Sequence, residues 1–129
     1  SVYGIVSTIG SASEIRGAGE ITAYYSSDER LKENISVISN PIEILSQIRG
    51  VFYDWTDEQI ARRGGEDGYF VRKHDVGVIA QEVEKVIPEV VLTDKSSQQI
   101  KSVAYSSLVG LLVEAIKDLK TEVDEIKVQ

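Results

Sequence analysis

From Tyr105 onward, apolar residues fall at Val109, Leu112, Ile116, Leu119, Val123 and Ile126, spaced alternately by three and four. That spacing is a heptad seam, with Val109, Ile116 and Val123 at a and Leu112, Leu119 and Ile126 at d. Lys117, Asp118, Lys120, Glu122, Asp124, Glu125 and Lys127 cover the other faces. A long helix over residues 106–128 is therefore predicted. Its apolar stripe has two destinations, the helix's own domain or further copies of the chain. About three heptads is short for a free-standing coiled coil, so other elements must help to pack it. β-branched residues at a with Leu or Ile at d do not by themselves decide between two strands and three. Gly110, costing on the order of 1 kcal/mol inside a helix, points to close packing near the helix start.

The other end of the chain has a different texture. VYGIVSTIG and EIRGAGEITAYY are short β-prone runs punctuated by Gly4, Gly10, Gly17 and Gly19. Some 25 residues of this kind cannot bury a core alone, because each short strand leaves its edges unpaired. They read as the end of a β-structure whose main body lies elsewhere. A chain that starts at Ser1 and contains no Met fits that expectation of a fragment.

Between these ends the pattern is mixed. NPIEILSQIRG (40–50) predicts a helix with Asn40 as N-cap, Pro41 at the first position, Gly50 as stop and Ile44, Leu45 and Ile48 as buried stripe. VFYDW (51–55) reads as a strand. YFVRKHDVGVIA (69–80) is its hairpin partner, and the polar TDEQIARRGGEDG between them is a flexible tip. QEVEKVI (81–87) is a short amphipathic helix with Val83, Val86 and Ile87 inward, ended by Pro88. VVLTD (90–94) and QIKSVAY (99–105) form a second hairpin around KSS. The fold class is α+β: a short N-terminal β segment, a small mixed domain of hairpins and helices, and a long C-terminal helix.

Bulk properties narrow the function. The 129 residues give room for about one domain. A net charge of −7 argues against a nucleic-acid or anionic-membrane surface, which needs clustered Lys and Arg. The absence of Cys excludes disulfides, thiolate catalysis and Cys-based zinc sites. No apolar run reaches the roughly 18 residues of a membrane span, and nothing resembles a signal peptide.

YSSDERLKENI (25–35) admits two readings. As a helix start, Ser26 is the N-cap, Glu29 its capping-box partner, and Leu31 and Ile35 the buried face; Asp28 is a second capping candidate. As chemistry, Ser27 and Lys32 are a nucleophile and a base. At 100° per residue, five positions set two side chains about 140° apart on a helix. The pair therefore meets only if Ser27 sits in an extended or turn conformation ahead of the helix, or if the lysine comes from a neighbouring chain.

SDERLKENI, then VGVIAQEVEKVIPEVV (76–91), then KSVAYSSLVGLLVEAIKDL (101–119), in this order and at these separations, resemble the C-terminal intramolecular chaperone domain of phage tailspikes, endosialidases and neck appendage proteins. These are the self-cleaving S74 peptidases. A eukaryotic family of membrane-bound transcription factors is similar in this domain. The resemblance covers roughly residues 26–126. It implies a boundary between a parent β-fibre, a triple β-helix-like segment over 1–26, and a chaperone domain over 27–129. It further implies a homotrimer, seamed by Leu112, Ile116, Leu119, Val123 and Ile126, that templates fibre folding and then cuts itself off. The implied location is a virion tail or appendage precursor made in the host cytoplasm, with the chaperone domain released after cleavage.

The same resemblance assigns Ser27 as nucleophile and Lys32 as base of a single-turnover serine endopeptidase. A lysine near its ordinary pKa of about 10.4 is protonated and useless as a base; burial among apolar groups lowers it. A neutral amine then takes the serine proton, as in Ser-Lys variants of the catalytic triad. The scissile bond is placed at Ser27–Asp28, with Ser26–Ser27 as alternative. Attack of Ser27 on its own carbonyl closes a four-membered ring, attack on the Ser26 carbonyl a five-membered one, and attack across chains avoids a ring. Arg30 and Glu29 are candidate supports, Arg30 by fixing Asp28 or an oxyanion. Two other functions compete: a trimerisation cap that never cuts, and the release module of a membrane-tethered transcription factor.

The remaining candidates read as structural. His74, the single histidine, is expected as a surface strand residue. Gly64, Gly65 and Gly68 lack the strand-loop-helix context of a phosphate cradle. Tyr53, Trp55, Tyr69 and Phe70 are expected in the core. Asp54, Asp57, Glu58, Glu66 and Asp67 lack calcium-loop spacing, and neither metal nor cofactor is expected.

Overall fold

The computed structural model describes residues 24–128. The expected fibre end over 1–26 falls, except for Tyr24, Tyr25 and Ser26, outside these described residues. The chain forms two compact units, one comprising Ser1–Glu33 with Tyr53–Asp75 and the other Asn34–Phe52 with Val76–Gln129.

The second unit contains most of the regular structure. Helix α1 (Pro41–Ser46) packs on the long helix α4 (Leu108–Lys127). Pro41 at the first position of α1 has no N–H to lose there, and it is buried. Opposite it, Leu111 and Ala115 of α4 are buried. Helix α3 (Ala80–Val86) buries Val83 and runs into a single 3-10 turn, Pro88–Val90, as the proline requires. Strands β3 (Val91–Thr93) and β4 (Lys101–Val103) pair antiparallel in the register Val91–Val103, Leu92–Ser102 and Thr93–Lys101. Asp94 organises their turn, its Oδ1 accepting from the Ser96 N–H, the Ser96 hydroxyl and the Ile100 N–H. Lys101 Nζ, 2.9 Å from both Glu84 and Thr93, ties α3 to this hairpin. Arg49 clamps Glu82 through both carboxylate oxygens. Its guanidinium holds the Glu82 carboxyl below the usual carboxylate range.

The first unit is built around Ile60 and Val71, both buried. Strands β1 (Val51–Asp54) and β2 (His74–Gly77) form a two-stranded sheet, of which Tyr53, Asp54, His74 and Asp75 belong to this unit. In this unit Trp55 donates its indole N–H to Asp75 and meets the Tyr53 ring edge-on at 5.1 Å.

Several expectations need correction. The span 56–65 is no flexible tip: Asp57–Arg62 is a helix, α2, capped by the Thr56 hydroxyl accepting from the Gln59 N–H. Gly64 and Gly65, at φ +95° and +90°, end it in a conformation other residues rarely adopt. After them, Asp67 Oδ1 accepts from the Tyr69 and Val71 N–H groups, and Glu66 from the Lys73 N–H. Those two carboxylates therefore serve the backbone. Tyr69 and Phe70 pair edge-on but stand exposed, so they are not core. Helix α1 stops four residues before Gly50. Asn40 occupies its cap position in left-handed backbone, φ 53° and ψ 47°, without a side-chain capping bond.

The C-terminal helix has two stripes. Leu111, Ala115, Asp118 and Glu122 follow an i, i+4, i+7, i+11 spacing on the side toward α1, where Asp118 and Glu122 line a cleft with Asn40, Ile42, Glu43 and Ser46. The heptad residues lie about 100° around the helix axis from that stripe. Val109, Leu112, Ile116, Leu119, Val123 and Ile126 are all exposed in the single chain. The helix thus packs on its own domain through one stripe and leaves the heptad seam open. Among the described residues an added Cβ at Gly110 would meet only Ile38, at an ordinary 3.9 Å, so none of them demands the glycine.

Candidate active site

YSSDERLKENI forms one turn of 3-10 helix, Glu29–Leu31, rather than the start of an α-helix. The cap is Asp28, not Ser26: its Oδ1 accepts from the Arg30 N–H at 2.9 Å. The turn closes with Leu31 N–H to the Asp28 carbonyl and Lys32 N–H to the Glu29 carbonyl, both 3.0 Å. No residue of the turn is buried, so Leu31 supplies no anchor of the kind expected for it. Ile35 is likewise exposed.

A single turn has a consequence for Ser27 and Lys32. Ser27 lies before the cap, and Lys32 follows the turn in extended backbone, φ −122° and ψ 148°. Neither is bound by the 100° helical increment, and the lysine side chain folds back over the turn. Lys32 Nζ donates to Ser27 Oγ at 2.6 Å within one chain. Both residues are exposed in the single chain. In this arrangement the ammonium is the donor and the hydroxyl the acceptor. A base needs the reverse, with a neutral amine accepting the Oγ proton.

Arg30 folds onto Asp28, its Nε 3.1 Å from Oδ1 and its Nη2 2.9 Å from Oδ2. The guanidinium hydrogen bond, with the capping N–H in addition, holds the Asp28 carboxyl below the ordinary carboxylate range. Glu29 is an exposed first-turn residue whose carbonyl, not its carboxylate, closes the turn.

Comparison with known proteins adds the decisive match. Residues 27–92 fit the model of the S74 peptidase family, described as the chaperone of endosialidase. The chain belongs to that family. The match begins at Ser27 and takes in the turn, the buried Ile60, Val71, Val83 and Val90, and the first two residues of β3, and it ends before α4. Among similar curated proteins, the long tail fiber protein Gp37 of Salmonella phage S16 is 35% identical over 105 residues, 81% of this chain and 13% of its own length. Its counterpart from Enterobacteria phage K3 is 35% identical over 106 residues, 81% of this chain and 8% of its own length. That from Enterobacteria phage M1 is 31% identical, covering 39% of its own length. The chain thus spans a small part of the first of these relatives.

The other sequence candidates lie apart from this chemistry. His74 is an exposed residue of β2 whose Nδ1 is 2.9 Å from Asp54 Oδ1. Lys73 is hydrogen-bonded to Asp57, which raises the ammonium's pKa above its ordinary value and keeps it charged. Among the described residues, no group of three or more His, Cys, Asp and Glu is arranged to hold a metal ion, and no helix is long and apolar enough to cross a membrane. Of the two roles weighed for Arg30, fixing Asp28 or an oxyanion, the first has its contact here, and the same Asp28 carboxylate is also the cap of the turn.

Proposed function

We propose that this chain is an intramolecular chaperone of a phage tail fibre, which trimerises, templates the folding of the fibre preceding it, and releases itself by cutting at Ser27. The observation that carries the cutting is the 2.6 Å contact between Ser27 Oγ and Lys32 Nζ. The fibre and the chaperone role rest on the family and on the tail fiber relatives. The trimer rests on an open heptad seam that a soluble chain does not leave to water at such length.

The chemistry follows from the pair. Assembly surrounds the exposed Lys32 with apolar groups of neighbouring chains and drives it to the neutral amine. The amine takes the Ser27 Oγ proton as Oγ bonds to a carbonyl carbon, and returns it to the departing amine as the C–N bond breaks. Water then hydrolyses the ester to a carboxylate and regenerates the hydroxyl. Attack on the carbonyl of Ser27 of the partner subunit cuts Ser27–Asp28 without a strained ring. Attack within the chain on the Ser26 carbonyl runs through a five-membered ring and cuts Ser26–Ser27.

Intact-mass measurement of freshly expressed chain against Ser27→Ala and Lys32→Arg tests the proposal. The expected result is a wild-type chain in two pieces and both variants whole, because guanidinium does not give up its proton at working pH. The fragment masses identify the bond. A wild-type chain that stays whole as a trimer would leave the non-cutting trimerisation cap.

A further inference from the structure

The turn that brings Ser27 to Lys32 has no buried residue to hold it. Its stability is local: two backbone hydrogen bonds, and a carboxylate that takes three further ones. Asp28 Oδ1 accepts from the Arg30 N–H and Nε, and Oδ2 from Arg30 Nη2. We propose that the Asp28 carboxylate, gripped by Arg30, is the positioning group that holds Ser27 and Lys32 in reacting register. The proposal rests on the reading of Ser27 and Lys32 as a reacting pair.

The physical argument is one of preorganisation. A three-residue turn on the surface competes with many open conformations, and only the closed one sets Nζ against Oγ. The capping carboxylate satisfies the N–H of Arg30, one of the free N–H groups of the turn. The guanidinium then fixes the rotamer of that carboxylate in two-point geometry. Every one of these bonds lies on the Asp28 side of the Ser27–Asp28 bond. A cut there leaves the turn and Lys32 whole on the released piece, while Ser27 departs with the fibre, so the site is disassembled by its own reaction.

The test compares single-turnover cleavage rates of assembled wild-type chain with Asp28→Ala, Asp28→Asn, Arg30→Gln and Arg30→Lys, alongside each protein's melting temperature and oligomeric mass. Loss of the cap in Asp28→Ala should slow cutting about fivefold. Asn keeps an oxygen for the Arg30 N–H and should recover most of that rate. Arg30→Gln, which does not flank the scissile bond, should slow cutting about two- to threefold, and Lys, a single-point donor, should restore only part of it. Melting temperature and mass should not move, because the turn buries nothing. A wild-type rate in both Asp28→Ala and Arg30→Gln would overturn the clamp, as would slowing that tracks a fall in melting temperature. Asp28→Asn as slow as Asp28→Ala would also overturn it, by placing the effect at the scissile bond. Cutting that survives in Ser27→Ala refutes the reacting pair itself, whereas a Ser27→Ala block with clamp variants at full rate refutes the clamp alone.

Discussion

Replacing Ile116 and Leu119 together with Asp should convert the assembled protein to monomer. The six seam side chains retain 39–69% of their exposure in the single chain. Full burial of a Val, Leu or Ile side chain is worth about 1.5–3 kcal/mol. Covering the exposed part therefore contributes about 1 kcal/mol per position, or roughly 6 kcal/mol per chain. The double substitution removes roughly 2 kcal/mol of this. It also forces two carboxylates per chain into the seam, each costing several kcal/mol when desolvated without a partner. The loss exceeds the gain, so assembly fails. Because Leu111 and Ala115, not the heptad residues, pack α4 on α1, the monomer should keep its helical content. Light scattering at micromolar concentration is the assay, each chain carrying Ser27→Ala so that it stays whole, with Thr121→Asp, at an exposed f position, as control. Wild type and control should show three chain masses and the double variant one. A monomeric wild type, or a double variant that still shows three chain masses, refutes the reasoning.

Leu111→Ala should cost about 2–5 kcal/mol of unfolding free energy, since Leu111 is fully buried; denaturant titration checks this. Glu82, its carboxyl held below the ordinary 4.5 by hydrogen bonding to Arg49, should contribute stability that is fully present above that value and lost as pH falls through the lower folded one. The melting-temperature gap between wild type and Glu82→Gln should therefore be constant at neutral pH and close in acid.

The long helix and the second hairpin were legible because their patterns are regular: three-four spacing for α4, and two β-prone runs around a polar turn for β3 and β4. The sequence did not separate the two stripes of α4, because Leu111 and Ala115 sit among other apolar residues and only the placement of α1 selects them. Helix α2 was hidden by its polarity. DEQIAR offers Ile60 alone to the core, and the available signal was Thr56 three residues before Gln59 with Gly64 behind. Tyr69 and Phe70 were read as core on strand alternation, but the strand begins only at His74. At the candidate site the residue types were legible and the shape was half legible. Helix geometry, about 140° over five positions, left either Ser27 in an extended or turn conformation ahead of a helix or a lysine from a neighbouring chain, while the capping pattern favoured Ser26. Asp28 prevails because its carboxylate bonds both the N–H and the guanidinium of Arg30, a gain that a serine hydroxyl does not match.

The claim on which the rest depends is that cutting waits for assembly, so that the chaperone is not lost before its fibre has folded. It is tested most directly by following the intact mass of Ile116→Asp/Leu119→Asp protein over time beside wild type. The account predicts that the seam-broken monomer keeps its full mass, with its Lys32 exposed and no neighbouring chain to cover it. Wild type should cut with first-order kinetics that dilution does not change once trimers exist. A monomer that cuts as efficiently as the trimer would contradict it.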